Sequence, residues 1–256
     1  LLGIKYSILM PYWNRAPQLA NTLASFRHFY SSRKDWEVVI VEDAKNVKDA
    51  KFHAAFNKVI ASYVSYMLIT VPEAEKDTYN PAPLFNQAAD AARGDYFVLT
   101  SPECIHTTDI LAGLDQEFSR SSSLYVVCAC KHIRPRRIFY APESFEYKLL
   151  RWYQHSKRRN VGYHFCSAIS RDNYQGIGGF DEEYAHGVAY DDDDFREKVM
   201  DAGIPFVYRD DLVVLHQEHP KLSLIIERSK YKMLLKRNER YFLSKWRKGV
   251  EGSKVA

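Results

Sequence analysis

The sequence predicts an α/β fold, with a mainly parallel sheet flanked by helices and a basic helical extension at the end. Three observations carry that expectation. Short apolar, β-branched runs alternate with stretches whose apolar residues recur at helical spacing along the first half of the chain. Those runs end in polar residues. The final stretch is strongly basic yet keeps an apolar stripe. With 256 residues, 46% of them hydrophobic, the chain can bury a real core, and its 14% aromatic content argues against disorder.

Tyr6 to Met10 reads as a first strand stopped by Pro11, and Trp36 to Val41 as a second. Tyr63 to Val71 and Tyr96 to Thr100 supply two more. Between them lie helical patterns: Leu19, Leu23 and Phe26, then Phe52, Phe56 and Ile60, then Leu84, Ala88 and Ala92. Sheets of this kind bind ligands beyond the carboxyl ends of their strands. Pro11-Tyr12-Trp13-Asn14-Arg15 follows the first strand, Glu42-Asp43 the second and Ser101-Pro102-Glu103 the fourth. Taken singly, Asp43 is as readily a turn cap and Arg15 a solvated loop residue. Three polar ends on one edge favour a shared site. No GxGxxG follows the first strand and no GxxxxGK[ST] occurs, so neither a dinucleotide fingerprint nor a P-loop is present.

The stretch from Gly178 to Phe195, GGFDEEYAHGVAYDDDDF, is the most distinctive. It sets a glycine turn ahead of four consecutive aspartates, Asp191 to Asp194. Adjacent carboxylates repel one another, so such a run persists where solvent, a cation or a reaction uses it. Phe195, Val199 and Met200 continue as a helix ended by Gly203 and Pro205. Aspartates in a first helical turn cap free N–H groups and meet the positive end of the dipole, which accounts for one or two of them. Four need a further reason.

From Tyr6 to His219 the chain resembles the nucleotide-sugar-dependent glycosyltransferases of the GT-A (Rossmann-like) fold, family 2 in particular. SILMPYWNR is similar to the family's "SIIIPTYNR", and Glu37 to Asp43 to its "EIIVVDD". NPAPLFNQAADAARGDYF places Asn86 on the family's asparagine, GGFDE is unchanged, and the aspartate run matches "ED.D[LF]". The resemblance implies a GT-A domain over residues 1–220, with a nucleotide-sugar half at 1–105 and an acceptor and catalytic half at 106–220. Residues 221–256 form the basic helix and tail. It implies donor contacts from Pro11, Tyr12, Asn14, Arg15, Glu42, Asp43, Asn86, Ser101 and Pro102. Asp192 becomes the general base of an inverting transfer from a nucleotide diphosphate sugar, a UDP-sugar by preference, with Asp191 its nearest rival. Asp193 and Asp194 are expected to be solvated or capping.

One departure bears on the cofactor. The family closes its fourth strand with Asp-x-Asp, which binds a divalent cation, whereas Ser101-Pro102-Glu103 keeps only the second carboxylate. Mn²⁺ or Mg²⁺ can be held by one carboxylate, substrate phosphates and waters. By resemblance His216, after Leu212 to Leu215, is a further ligand, although a satisfied rim histidine reads equally from the residues alone. The reduced triplet also leaves room for a catalytically silent domain that binds a nucleotide sugar or glycan. A nucleotidyltransferase would carry a glycine-rich basic loop, which PYWNR lacks, and no nucleophilic aspartate closes the first strand as in a phosphatase.

The acceptor, a glycan or lipid-linked glycan, is expected at Trp152, His155, Gly179, Phe180 and Asp181. Aromatic faces stack on sugars, and the neighbouring Lys157, Arg158 and Arg159 suit phosphates or acidic sugars. The plainer alternative is a surface helix with Trp152 and Tyr153 packed inward. Tyr163, His164 and Phe165 are expected on a strand leading toward GGFDE. From Lys221 to Lys248 ten lysines and arginines face two glutamates, interleaved with apolar residues at helical spacing. Such a helix lies peripherally on an anionic membrane or packs on the domain or a second subunit. Nucleic-acid binding is not expected, for no recognised module is present. Four cysteines without zinc spacing read as buried thiols, and the start lacks a signal-peptide pattern, so the expected location is cytoplasmic.

Overall fold

The computed structural model describes residues 3–13, 15–43, 66–70, 80–137, 139, 141–220 and 226–247. The expected helix over Phe52 to Ile60 lies outside them, as does Asn14. Four strands, β1 (Tyr6–Tyr12), β2 (Trp36–Glu42), β3 (Tyr66–Thr70) and β4 (Tyr96–Thr100), pair in parallel in the order β3-β2-β1-β4. Helices α1 (Ala16–Tyr30) and α2 (Ala82–Ala91) flank them. β1 runs two residues past the expected stop. β4 pairs with β1 only as far as Leu9, so Pro11 needs no N–H on that side.

The sheet is covered on both faces, which is why its strands are continuously apolar. Ile8 and Met10 of β1 pack with Leu19, Leu23 and Phe26 of α1 and with Leu111 and Leu114 of α3 (Ile110–Phe118). Leu9, on the opposite face, packs with Phe85 and Ala88 of α2 and with Phe195 and Val199 of a later helix.

The second half of the sheet is mixed. β8 (Cys166–Ser170) runs antiparallel to β4 and passes the sheet on to β6 (Tyr125–Pro135), then β9 (Phe206–Gln217) and β5 (Cys104–His106). The order is therefore β3-β2-β1-β4-β8-β6-β9-β5, with β7 (Tyr147–Gln154) added on β6. Trp152 and Tyr153 thus lie on a strand, which corrects the surface-helix alternative. Tyr163 to Phe165 precede β8 and are not part of a strand. Helix α4 (Arg171–Gly176) leads to the GGFDE turn, α5 (Asp191–Asp201) carries the aspartates, and α6 (Arg228–Trp246) is the basic helix. All four cysteines are free and buried. Among the described residues no helix is long and apolar enough to cross a membrane.

Candidate active site

A cavity of about 320 Å³ opens beyond the carboxyl ends of β1, β2 and β4. Pro11, Tyr12, Arg15, Asp43, Ser101, Pro102 and Glu103 all line it, so most of the expected donor positions share one wall. Trp13, Asn80, Phe85, Thr100, His164 and His219 add to its polar and aromatic lining. Glu42 is buried at the end of β2.

Glu103 and His219 line one part of the cavity, and His216 lies behind them. Glu103, His216 and His219 present ligand atoms within 4.8 Å of one another. Sheet register brings them together: Cys104 of β5 pairs with His216 of β9, and Gln217 N donates to Glu103 O at 2.9 Å. Arg15 Nε donates to Glu103 Oε1 at 2.9 Å, and His219 Nε2 lies 3.4 Å from the same oxygen. Burial raises the Glu103 carboxyl, but His216, His219 and Arg15 outweigh it and hold the group below the usual carboxylate range. His216 is itself pushed down to about 4, mainly by burial, so it is uncharged near neutrality and Arg15 is the lasting cation beside Glu103. Among the described residues no hydrogen-bond partner meets the buried His216 Nδ1. An uncharged imidazole with a free nitrogen, beside an ionised carboxylate, is a donor set that suits a divalent cation.

Asp191 and Asp192 do not line the cavity themselves; they stand behind two lining residues, Asn80 and His164. Ala189 and Tyr190 both take positive φ, 61° and 69°, a left-handed turn that is uncommon for residues with a Cβ and starts α5 abruptly. The Ala189 carbonyl accepts from Asn238 Nδ2 at 2.9 Å, and Asn80 Nδ2 donates to Asp191 Oδ1 at 2.8 Å. His164 Nδ1 lies 2.9 Å from Asp192 Oδ1, an ion contact whose direction falls outside hydrogen-bond geometry. Its Nε2 is 4.0 Å from Asp191. Burial disfavours a charge on His164, yet the two aspartates outweigh it and raise its pKa. Burial and then the Asp192 charge push Asp191 up to about 6. Asp191 is buried, whereas the Asp192 side chain is 32% exposed.

The rest of the run is structural. Tyr163 donates its hydroxyl to Asp193 at 2.6 Å. Asp194 is 1% exposed and accepts from Trp246 Nε1 at 2.8 Å, with Lys245 Nζ at the same distance. A solvated Asp194 is therefore corrected: it is the buried anchor of α6. That helix packs Leu234, Asn238 and Phe242 onto the domain.

The remaining expected residues lie off the cavity walls. Asn86 brackets Phe180, accepting from its N and donating to its O, each at 2.9 Å. Gly179 has φ +58°, and a Cβ there would come within 2.6 Å of Asn86 Oδ1, so glycine is required. Phe180 is buried behind His164, with ring centroids 4.9 Å apart. Asp181 accepts from Tyr241 and Lys245 of α6. Trp152 and His155 meet edge to face on the β7 hairpin, and His155 also contacts Asp210. Sequence reasoning missed Asn80 and His219. The second histidine of His216-Gln-Glu-His219 was the available signal.

A parallel half with polar strand ends, joined to a mixed half that sets a carboxylate–histidine group and a histidine-linked aspartate pair beside them, defines the GT-A glycosyltransferase fold. The chain belongs to glycosyl transferase family 2, whose model matches residues 7–178. Similar solved structures include the mannosyltransferase PcManGT from Pyrobaculum calidifontis in complex with GDP-Man and Mn²⁺. It is 17% identical with TM-score 0.61, over 94% of this chain and 64% of that one. S. aureus TarS residues 1–349, in complex with UDP-GlcNAc, is 11% identical with TM-score 0.64, over 94% of this chain and 67% of that one. The chain thus spans less than two thirds of the mannosyltransferase's length. The sequence has no match among curated proteins.

Proposed function

We propose that this protein is an inverting glycosyltransferase that moves a sugar from a nucleotide diphosphate sugar, with UDP favoured, to a hydroxyl of a glycan or glycolipid. The observation that carries the reading is the single cavity touching Asp43, Arg15, the Glu103 and His219 pair, and His164 in contact with Asp192. Asp43 is suited to accept from a nucleobase edge, and Arg15 supplies positive charge for a diphosphate. Glu103, His216 and His219 would hold a divalent cation, Mn²⁺ or Mg²⁺, which offsets negative charge on the leaving diphosphate.

Asp192 is the better-placed base of the pair because it is partly exposed, while Asp191 is sequestered on Asn80. It takes the acceptor hydroxyl proton as that oxygen bonds to the anomeric carbon, on the face opposite the departing nucleotide diphosphate. The bond to the diphosphate oxygen breaks with its electron pair. General base catalysis supplies roughly 10²–10⁴-fold. His164 beside both carboxylates limits their mutual repulsion. Four buried free thiols suit a reducing, cytoplasmic setting, and the basic face of α6 suits peripheral contact with an anionic membrane.

The test is a thermal-shift screen of nucleotide diphosphates and nucleotide sugars with and without Mn²⁺, followed by turnover of Asp192→Asn. A ligand at about 100 times its Kd adds roughly 2.7 kcal/mol. Stabilisation by one nucleotide family, strengthened by metal, with turnover lost in Asp192→Asn, supports the reading. Stabilisation without turnover in the unaltered protein would mark a catalytically silent binding domain, and no response to any nucleotide would overturn donor binding.

A further inference from the structure

We infer that the acceptor is an anionic glycan, bearing phosphate or carboxylate groups, and that Arg151, Tyr153 and Arg159 on the β6–β7 hairpin receive it. This rests on the transfer reaction proposed above and narrows its substrate class. β7 pairs only with β6 among the described strands, so one of its edges is open. The Tyr153 ring stacks on His132, with centroids 4.4 Å apart and planes 3° from parallel. Its centroid is 4.9 Å from that of His216, one of the candidate cation ligands. The Arg151 and Arg159 guanidiniums lie 5.0 and 5.8 Å from the same tyrosine ring. An aromatic face flanked by two forked cations therefore adjoins the cavity's carboxylate–histidine side.

Part of the positive charge on this hairpin is uncompensated. Lys131 and Arg158 lie over the Trp152 ring, and Arg151 over Tyr153, and none of the three has a carboxylate partner among the described residues. The Arg159 guanidinium donates to the Tyr153 carbonyl. By contrast Arg134, on β6, is matched with Glu218, and away from the hairpin Arg33 is matched with Asp35 and Asp115 and Arg209 with Glu117 and Asp211. Of the nearby acids, Asp210 of β9 is occupied by Ser156 and His155, and Glu146 of the hairpin by Arg137. Clustered cations repel one another, and an anion docking among them relieves that cost. Guanidinium forks match phosphate and carboxylate oxygens, while a tyrosine face stacks on a sugar ring.

The test uses the full chain and three oligosaccharide probes of equal length: a neutral chito-oligosaccharide, an oligogalacturonate and a glycerol-phosphate-linked oligosaccharide. Binding is titrated by calorimetry at low and high salt, after nucleotide-sugar binding has been checked by thermal shift. Absence of that shift counts against the transfer reading; the probe titration judges the acceptor inference separately. The expected result is that one charged probe binds at least about tenfold tighter than the neutral one, with the lead shrinking as salt rises. Which charged probe leads separates carboxylate from phosphate. Arg151→Gln with Arg159→Gln should abolish the lead, whereas Arg151→Lys with Arg159→Lys should keep part of it, which separates lost charge from lost folding. Equal binding of charged and neutral probes, no binding of any probe, or a lead that survives the glutamine pair overturns the inference.

Discussion

Trp246 donates its indole N–H to Asp194 Oδ1 at 2.8 Å, tying the last turn of α6 to the first turn of α5. Lys245 reaches the same oxygen, and Asn238 holds the Ala189 carbonyl at the other end of the strained turn. The basic helix is thus a clasp behind the aspartates. Trp246→Phe keeps most of the ring but leaves a buried carboxylate short of a donor, which costs about 1–3 kcal/mol. Thermal melts should show the loss, and turnover should fall while nucleotide-sugar binding persists. Unchanged turnover in a destabilised variant would confine the clasp to stability.

Gly187 gives a sharper probe of the same contact. Its φ is −144°, which any residue adopts, so the constraint is space: a Cβ there would lie 2.2 Å from Asn238 Oδ1. Gly187→Ala should lower the melting temperature, by about 1–3 kcal/mol of overpacking. Adding Asn238→Ser makes room and should recover part of the loss. A double variant no better than the sum of the singles would show that the two residues are not coupled.

Asp191→Asn tests the buried carboxylate. Burial and Asp192 raise its pKa from 3.8 to about 6, so between those values the folded chain binds more protons than the unfolded one, and the wild type loses stability as pH rises. The amide keeps an oxygen for Asn80 and has no such loss. The variant should therefore gain on the wild type as pH rises through that window and hold its gain above it. Parallel melts across pH 4 to 8 read this directly, and a constant gap across the range would contradict the raised pKa.

His216→Ala removes an uncharged imidazole from the Glu103 set. The midpoint of Mn²⁺-dependent stabilisation, measured with nucleoside diphosphate present, should rise by about 10-fold or more. An unchanged midpoint would take His216 out of the cation site.

The parallel half was legible because its signals are local. β1, β2 and β4 each end in polar residues that line the cavity, and sequence order alone puts Arg15, Asp43 and Glu103 on one sheet edge. The second half was harder to read. YKLLRWYQ has apolar residues at positions compatible with either period, and pairing with β6 settles it as a strand. Only Leu212 to Leu215 of β9 stood out, since Arg209, Asp210 and Asp211 interrupt the apolar pattern; Arg209 and Asp210 find partners across the fold, and Asp211 pairs with Arg209. Asp194 read as solvated because the groups that bury it are distant in sequence. Lys245 and Trp246, which bury it, come from the far end of the chain. Asn80 and His164 reach the aspartates only through tertiary packing.

The clasp also sets a timetable. A chain leaving the ribosome folds its earlier elements first, so the cavity walls on β1, β2 and β4 are laid down well before α6 emerges. Until Asn238, Lys245 and Trp246 arrive, the left-handed turn and Asp194 lack their restraints. The turn ahead of α5 is thus secured later in synthesis than the ends of β1, β2 and β4.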